Sequence, residues 1–288
     1  MKKDFLSIFD FSIDDLESLM ERAAELKSHF DPGHSPLLGK SVGLFFDKVA
    51  TKTFLSFEVG INQLWGRPVH INPYSGFHVN ESASEIARVF SKYLSCLVIG
   101  TLEHGNLKEL ARYASIPVIN AFSDLHSPCQ VLADFFTIFE KKGRFSIKLA
   151  YIGEGNNIAH SLVEAASRFG TDIVFACPEG YEPYYEIIQE AKKEGMCKIE
   201  LVDDPLVAVK NADVIYTSPT TTTHKNIFQV NLSLLKEAKS DVIIMHSLPA
   251  HKGVEITEDV IDSPHSVIFD QVENRLHTQK AIFEMLIE

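Results

Sequence analysis

The sequence has few cysteines and no long apolar run. Its four cysteines are widely separated, and no two of them form a C-x-x-C pair. That spacing predicts neither a zinc site nor a disulfide framework, and it is typical of a reducing compartment. No apolar run approaches the ~18 residues that a membrane-spanning helix needs. The first residues, Met1-Lys2-Lys3-Asp4, are not followed by the apolar core of a signal peptide. We therefore expect a soluble cytoplasmic protein with no metal and no membrane partner.

Positive charge is also scarce. The chain has 27 Lys and Arg residues against 39 Asp and Glu residues, which gives a net charge of −12. A surface of this kind repels nucleic acids and anionic membranes, so we expect no nucleic-acid partner. A site for an anionic ligand must then be a local concentration of positive charge. The length of 288 residues is sufficient for two domains of ordinary size.

What the sequence does have is a regular alternation of buried strands and helices. The apolar runs at residues 42–46 and 96–99 are predicted strands, and each is followed by a segment with helical periodicity. A second series of the same kind covers residues 148–246, and the chain ends in a predicted helix at residues 273–286. This pattern predicts an α/β fold with two doubly wound parallel-sheet domains. Ligands of such sheets bind at the carboxyl ends of the strands.

The first candidate site is the loop that follows residues 42–46. Thr51, Lys52 and Thr53 offer two hydroxyl groups and one cation, just before a predicted helix that starts at Phe54. A strand, a short polar loop and a helix start aim free backbone N–H groups and the positive end of a helix dipole at an anion. The stretch therefore indicates a cradle for a phosphate or carboxylate. On these residues alone, an ordinary helix start with surface side chains explains it equally well.

Two further polar loops follow predicted strands. Gly153-Glu154-Gly155-Asn156-Asn157 is only part of a dinucleotide-binding fingerprint, because asparagines stand where that motif needs compact glycine geometry. The two asparagines suit hydrogen bonds to a small polar ligand, or they are turn residues. His246-Ser247-Leu248-Pro249 has no acidic partner at a recognisable spacing, so a Ser-His-Asp hydrolase is not indicated.

Three longer segments carry a family resemblance. They are Gly155-Asn156-Asn157-Ile158-Ala159-His160-Ser161-Leu162, residues 245–257 and residues 267–281, in that order. Over nearly its whole length the chain resembles the aspartate/ornithine carbamoyltransferase family, and the ornithine branch most closely. The resemblance implies transfer of a carbamoyl group from carbamoyl phosphate to the amine of ornithine or a related amino acid, as in arginine biosynthesis. It implies no cofactor.

The resemblance also implies a domain organisation. A domain for carbamoyl phosphate, or a similar small anion, would take residues 1–129 and be completed by the helix at 273–288. A linking helix would take residues 130–145, and a domain for a small amino acid residues 146–272. In the family, two helices link the domains, and the chains form a homotrimer with shared active sites. The polar loop at residues 73–85 would reach the neighbouring subunit.

Roles for individual residues follow from the same resemblance. The phosphate and carbamoyl ligands would be Thr51, Lys52, Thr53, Ser127, Gln130, the Leu248 carbonyl and Arg275. The amino-acid ligands would be Asn157, Asp213, Thr217 and Ser218. The catalytic residues would be Ser247, Arg275 and Gln130. Structural alternatives stay open: Arg275 could pair with Asp270 or Glu273, and Ser247 could be a packing replacement for cysteine. Residues 220–223 are either a flexible loop or a remodelled acceptor site.

Several of these positions depart from the family pattern. The phosphate loop Ser-Thr-Arg-Thr is Ala50-Thr51-Lys52-Thr53 here, which exchanges a planar guanidinium for a point charge. The arginine expected after the strand at 96–99 is Gly100, and the histidine of His-Pro-x-Gln is Ser127. The cysteine of His-Cys-Leu-Pro is Ser247. The departures therefore concentrate at the site, while the scaffold is retained.

These losses leave more than one function open. Carbamoyl transfer depends mainly on orienting the substrates and on cations that stabilise the charge developing on the carbonyl oxygen. Removing one such donor typically costs ~2.7–4 kcal/mol of barrier. Lys52, His104, His126 or a neighbouring subunit would have to substitute. The alternatives are a family member with a different acyl donor or acceptor, and a catalytically inactive ligand-binding homologue.

Overall fold

The computed structural model describes residues 2–29, 31, 33–47, 50–72, 82–101, 103–220 and 227–287. The chain divides into two compact units. Unit 1 is Met1–Leu132 with Asn274–Glu288, and unit 2 is Ala133–Glu273. Within the described ranges, no helix combines the length and the apolar character that crossing a membrane requires.

Unit 1 is built on a four-stranded parallel sheet. Its strands are β1 (Ser41–Phe46), β2 (Arg67–Ile71), β3 (Cys96–Gly100) and β4 (Val118–Phe122). They lie in the order β2-β1-β3-β4. The register pairs Gly100 of β3 with Phe46 of β1 and with Phe122 of β4, so the carboxyl ends of these three strands lie side by side. The strands predicted at residues 42–46 and 96–99 are confirmed.

Among the described residues of the amino-terminal part of unit 1 there are four α-helices. They are α1 (Ile13–Ser28), α2 (Thr51–Gln63), α3 (Ala83–Tyr93) and α4 (His104–Tyr113). The predicted start of α2 at Phe54 is wrong, because the Phe54 N–H already donates to the carbonyl of Ala50 at 2.9 Å. Thr51, Lys52 and Thr53 therefore form the first helical turn instead of the loop before it.

Unit 2 is built on a five-stranded parallel sheet. Its strands are β5 (Lys148–Ile152), β6 (Asp172–Ala176), β7 (Ile199–Val202), β8 (Val214–Thr217) and β9 (Ile243–His246). They lie in the order β7-β6-β5-β8-β9, so the chain runs outward from β5 to one edge and then returns to β8. The point where the direction reverses, between β5 and β8, is where open sheets of this type bind ligands.

Two kinds of helix complete unit 2. Between the strands lie α6 (Asn157–Phe169), α7 (Tyr185–Glu194), α8 (Pro205–Val209) and α9 (Leu232–Leu235), and α10 (Glu258–Ile261) follows β9. The helices α5 (Pro128–Lys142) and α11 (Ile268–Leu286) each contain a boundary between the units. The last helix starts at Ile268 and not at the predicted residue 273. Both units are therefore α/β, as predicted, and two helices carry the chain from one to the other.

Both sheets have cores of the kind that buried parallel strands require. In unit 1, fully or nearly fully buried side chains of β1 and β3 pack with those of α3 and α4, including Phe45, Leu97, Ile86 and Leu107. In unit 2, Ile152, Ile215 and Ile244 of three adjacent strands belong to one core cluster. Each cluster fixes the ends of its strands, from which the polar loops of the candidate site emerge.

Candidate active site

Unit 1 brings together three of the predicted anion ligands. Arg275 of α11 donates from Nη1 to Oε1 of Gln130 and from Nη2 to Oγ1 of Thr53, each at 2.8 Å. The three side chains come from α11, α5 and α2, and all three are buried. Asp270, the alternative partner considered for Arg275, pairs with Lys141 instead. The structure therefore places Arg275 in the loop-and-helix cluster that the sequence marked as an anion cradle.

The charge of this cluster is positive. Thr53 Oγ1 and Gln130 Oε1 are neutral acceptors, so neither hydrogen bond cancels the charge of the Arg275 guanidinium. Burial, followed by repulsion from Arg275, lowers the pKa of Lys52 to about 8. A second cation close to a lysine destabilises the protonated form of its side chain, and this lowers its pKa. An anion bound here would relieve the repulsion between the two side chains.

The amino terminus of α2 adds backbone donors to this positive charge. Its N-cap residue is Ala50, which provides no side-chain hydrogen bond to the first turn. The first N–H groups of a helix have no partner within the helix, and the helix dipole is positive at this end. Thr51 is exposed and Lys52 is partly exposed at the same turn, whereas Thr53 is buried against Arg275. The helix start, the hydroxyls and the two cations together form a site suited to a phosphate group. Lys48 and Val49, of the loop before it, lie outside the described residues.

Gly100 is closely surrounded by aromatic rings. A Cβ atom built at this position would lie 2.6 Å from ring carbons of both Phe46 and Phe122. The centroids of these two rings are 6.0 Å apart. The space into which the family's arginine would project from the end of β3 is therefore filled by the chain's own phenylalanines. An arginine side chain therefore cannot be accommodated at position 100 unless the neighbouring phenylalanines move.

The histidines considered as substitutes are held by local contacts. His104 Nδ1 lies 2.9 Å from Ser123 Oγ, and the rings of His104 and His126 are 4.9 Å apart in an edge-to-face arrangement. The His126 N–H donates to the same Ser123 Oγ at 3.0 Å. Burial, with a smaller contribution from Lys108, lowers the pKa of His104. Both histidines therefore support the loop that leads to the buried Ser127, at the start of α5.

In unit 2, Ser218 joins the ends of two neighbouring strands. Asn156 Nδ2 donates to Ser218 Oγ at 2.9 Å, and the hydroxyl of Tyr151 lies 2.7 Å from the same atom. Asn156 Oδ1 also caps α6 by accepting from the N–H groups of the next turn. Asn157 is therefore the first helical residue of α6. Thr217 is the last residue of β8, and its hydroxyl donates a hydrogen bond to the carbonyl of Ile152. Asn157, Thr217 and Ser218 follow or end β5 and β8, between which the direction of the sheet reverses, and sheets of this type bind ligands at such strand ends.

The glycine-rich loop of unit 2 is covered by the protein's own backbone. The Gly155 N–H donates to the carbonyl of Tyr181 at 2.6 Å. A Cβ atom on Gly155 would lie 2.2 Å from the backbone nitrogen of Pro183, so only glycine fits here. Tyr184, next along the chain, donates its N–H to His160 Nε2 at 3.2 Å. The segment 181–184 thus lies over the loop that a dinucleotide would need, and sequence patterns gave no sign of it.

The structure does not bring Asp213 together with the other amino-acid ligands. Asp213 precedes the first residue of β8, so it lies at the amino end of the sheet, opposite Thr217 and Ser218. Its carboxylate accepts from Lys239 Nζ at 2.8 Å and from the N–H of Lys148 at 2.9 Å. These contacts give Asp213 a structural role, and we leave it out of the proposed site. The error came from matching an aspartate to a motif without knowing which end of the strand it occupied.

Ser247 and Leu248 follow β9, next to the end of β8. Ser247 is close to the side chain of Tyr216, whose hydroxyl donates to the buried Asp134 at 2.7 Å. Leu248 has a φ of 51°, which is unusual for a residue with a Cβ atom. Sequence reasoning missed Tyr216 and Asp134. The only signal was that Asp134 is the single acidic residue in the otherwise apolar stretch at residues 131–139. Most of the predicted loop at residues 73–85 and residues 221–223 lie outside the described ranges.

Comparison with known proteins gives these features a context. The model of the aspartate/ornithine carbamoyltransferase carbamoyl-P binding domain matches residues 3–140, and that of the Asp/Orn binding domain matches residues 146–286. The ornithine carbamoyltransferase of Syntrophus aciditrophicus is 45% identical over 302 residues, which cover 100% of both chains. That of Thermococcus kodakarensis is 43% identical, covering 99% of this chain and 96% of the relative. The solved ornithine carbamoyltransferase of Pyrococcus furiosus has a TM-score of 0.93 and 42% identity, covering 99% of this chain and 97% of that one.

Proposed function

This chain belongs to the aspartate/ornithine carbamoyltransferase family, and on that premise we propose that it transfers a carbamoyl group from carbamoyl phosphate to the amine of ornithine. The amine attacks the carbamoyl carbon, a C–N bond forms, the bond from that carbon to the phosphate oxygen breaks, and the amine gives up a proton. No metal or organic cofactor is needed for this step. The observation that carries the proposal is the hydrogen bonding of Arg275 to Thr53 and Gln130.

Unit 1 is proposed to bind carbamoyl phosphate. Thr51, Thr53 and the first N–H groups of α2 suit the phosphate oxygens, with Lys52 supplying charge at the same turn. Arg275 is fixed by two hydrogen bonds and stays positively charged at any working pH. A preorganised cation of this kind stabilises negative charge on a carbonyl oxygen without having to move during the reaction. Gln130, which holds Arg275, is the second carbamoyl ligand.

Unit 2 is proposed to bind the amino acid. Asn157 and Ser218 lie at the strand ends where the sheet reverses direction, and Thr217 completes this edge. Ser247 and the Leu248 carbonyl follow the next strand and are proposed to act on the carbamoyl group. Ser127, beside Gln130 at the start of α5, is proposed as a further ligand of the donor. A serine hydroxyl at position 247 can orient an amine by hydrogen bonding.

We also propose that the protein acts in the cytoplasm as a homotrimer with shared active sites, within arginine biosynthesis. Support comes from the family and from a relative in Pyrococcus furiosus, 41% identical over 303 residues, which is described as the anabolic ornithine carbamoyltransferase. Mass measurement of the purified protein in solution tests the trimer. A mass of one chain that stays unchanged over a wide concentration range contradicts it.

The direct test is a turnover assay with purified protein. Carbamoyl phosphate and ornithine together should give one equivalent of carbamoylated amine for each phosphate released, and omitting either substrate should stop product formation. Aspartate, lysine and putrescine serve as alternative acceptors. Calorimetric titration with carbamoyl phosphate measures donor binding separately. Absence of both heat and product contradicts the proposed function, whereas binding without turnover supports the alternative of a catalytically inactive ligand-binding homologue.

A further inference from the structure

Unit 1 contains a cavity of about 420 Å³ beside the carboxyl end of α1. Its walls come from the last turns of α1, the segment that follows them, the end of α2 and Lys280 of α11. The described residues that line it include none of the proposed ligands of carbamoyl phosphate. Pockets of ~300–1,000 Å³ are typical of sites that bind small molecules. The cavity is therefore large enough for a ligand of its own.

Lys280 brings a buried cation to this cavity. The residue is only 3% exposed, and among the described residues its Nζ has one hydrogen-bond partner, the carbonyl of Leu26 at 3.3 Å. Burial lowers the pKa of Lys280, and the charge of Glu284 opposes this shift. A lysine ammonium has three N–H donors, so two of them remain for a ligand. A carboxylate in the cavity would supply the acceptors that this buried ammonium lacks.

Arg22, which also lines the cavity, is already engaged by two carboxylates. Its Nε donates to Glu284 Oε2 at 2.6 Å, and its Nη1 donates to Glu25 Oε2 at 2.5 Å. The hydrogen bond to Glu284 is the main cause of the raised pKa of Arg22. Because both carboxylates offset its charge, Arg22 organises the wall of the cavity, whereas Lys280 is available to a ligand.

Two carboxylates of the lining each keep one oxygen atom for a ligand. Glu25 contacts Arg22 through Oε2, and Asp31 uses Oδ1 to accept a backbone N–H at 2.8 Å. Among the described residues, no hydrogen-bond donor contacts Glu25 Oε1 or Asp31 Oδ2. An ionised carboxylate can only accept hydrogen bonds, so these atoms suit an ammonium group. Leu26 and Leu64 add apolar surface to the same cavity.

We propose that this cavity binds a free amino acid in its zwitterionic form, with the ligand carboxylate on Lys280 and the ligand ammonium on Glu25 and Asp31. A cation and acceptor-only oxygen atoms in one cavity match a ligand with separated opposite charges. A simple anion would instead face the two carboxylates, and a simple cation would face the buried lysine. The two leucines match an apolar side chain. The inference does not depend on the proposed function, because binding requires no turnover.

Calorimetric titration of the full-length protein with L-leucine and two analogues tests the class of ligand. L-Leucine carries both charges and an apolar side chain, so one molecule should bind per chain. 4-Methylpentanoate lacks the ammonium and 3-methylbutylamine lacks the carboxylate, so each should bind at least about tenfold more weakly. Equal affinity for leucine and either analogue overturns the inference, as does the absence of leucine binding up to about 10 mM.

Lys280→Met keeps the apolar stem of the side chain and removes its charge, so leucine should bind about 10- to 100-fold more weakly. Lys2→Met is the matched control, because Lys2 Nζ donates to the carbonyl of Ala111 at 2.6 Å in the last turn of α4, outside the cavity lining. It should bind leucine as the parent does. Each lysine lies at the carboxyl end of a helix, where a cation is stabilising, so both variants should lower Tm. A lower Tm for Lys280→Met with unchanged leucine binding means that Lys280 only caps α1, and this overturns the inference.

Two measurements locate the bound leucine. Ser218→Ala, in the proposed acceptor site of unit 2, should bind leucine as the parent does; weaker binding in this variant but not in Lys280→Met contradicts the inference. NMR of the histidine-labelled parent protein needs no change at Lys280. His29 and His34 line the cavity, so leucine should shift their signals but not that of His265 in unit 2. If saturating leucine leaves the His29 and His34 signals in place, the inference is overturned even where Lys280→Met does not fold.

Discussion

Lys52 should make anion binding depend on pH in a way that the structure specifies. Its pKa is lowered to about 8 by burial and by Arg275, whereas a bound anion favours the charged ammonium. Below pH 8 the free protein already carries the proton and binding needs no uptake. Above pH 8 each binding event must take up a proton, so affinity should fall as pH rises. At a pKa of about 8, Lys52 is about 90% protonated at pH 7 and about 10% at pH 9.

The size of the effect follows from these fractions and from the exposure of Lys52. Sulfate is a suitable probe, because it stays a dianion over this pH range. The parent protein should bind sulfate about fivefold more weakly at pH 9 than at pH 7, because the uncharged form still binds, about tenfold more weakly than the charged one. Lys52→Ala should already be about tenfold weaker at pH 7, a modest loss because solvent screens a partly exposed charge. The alanine variant should then show little further change up to pH 9.

Lys52→Arg provides the matched comparison, since a guanidinium stays charged at every pH in this range. Its affinity should be flat between pH 7 and pH 9. Isothermal titration calorimetry in two buffers of different ionisation enthalpy measures both the affinity and the proton uptake. If Lys52→Ala binds sulfate as tightly as the parent at pH 7, or if Lys52→Arg keeps the alkaline decline, Lys52 is not the group that faces the anion.

Three other perturbations test separate parts of the structure. Arg275→Lys loses the planar contacts to two acceptors and should lower kcat by about 100- to 1000-fold, measured by steady-state assay. Gly100→Ala should reduce the free energy of unfolding by ~1–3 kcal/mol, because its methyl group meets two aromatic rings; adding Phe122→Leu should recover part of this loss in urea denaturation. Asp213→Asn should lower the melting temperature by weakening the contact with Lys239, yet leave the KM for ornithine unchanged; a raised KM would return Asp213 to the site.

The sheets could be predicted because their strands are short apolar runs, and burial on both faces of a parallel sheet demands such runs. The register of β1 with β3 could not be predicted, and so neither could the aromatic packing around Gly100. A glycine in the sequence shows that a side chain is missing but not what fills the space. In this protein Phe46 and Phe122 fill it, and they reach it from neighbouring strands.

The sequence selected individual candidate residues, but it could not show which of them lie together. Thr53 was marked by its loop and Arg275 by the family resemblance, and the structure joins them across 222 positions of the chain. Asp213 was chosen in the same way, but the sequence did not show that it lies at the amino end of β8. The pair of Tyr216 and Asp134, 82 residues apart, has no local pattern from which it could be inferred.

The return of α11 to unit 1 has a consequence for biosynthesis. The first 132 residues contain the whole sheet of that unit, but its buried arginine arrives only at position 275. During translation the anion site of the amino-terminal half therefore cannot form until the ribosome has synthesised nearly all of the remaining chain. A stop codon shortly before the end would disable the earliest part of the protein to be synthesised, and separately expressed halves should recover the anion site only when the last helix is supplied.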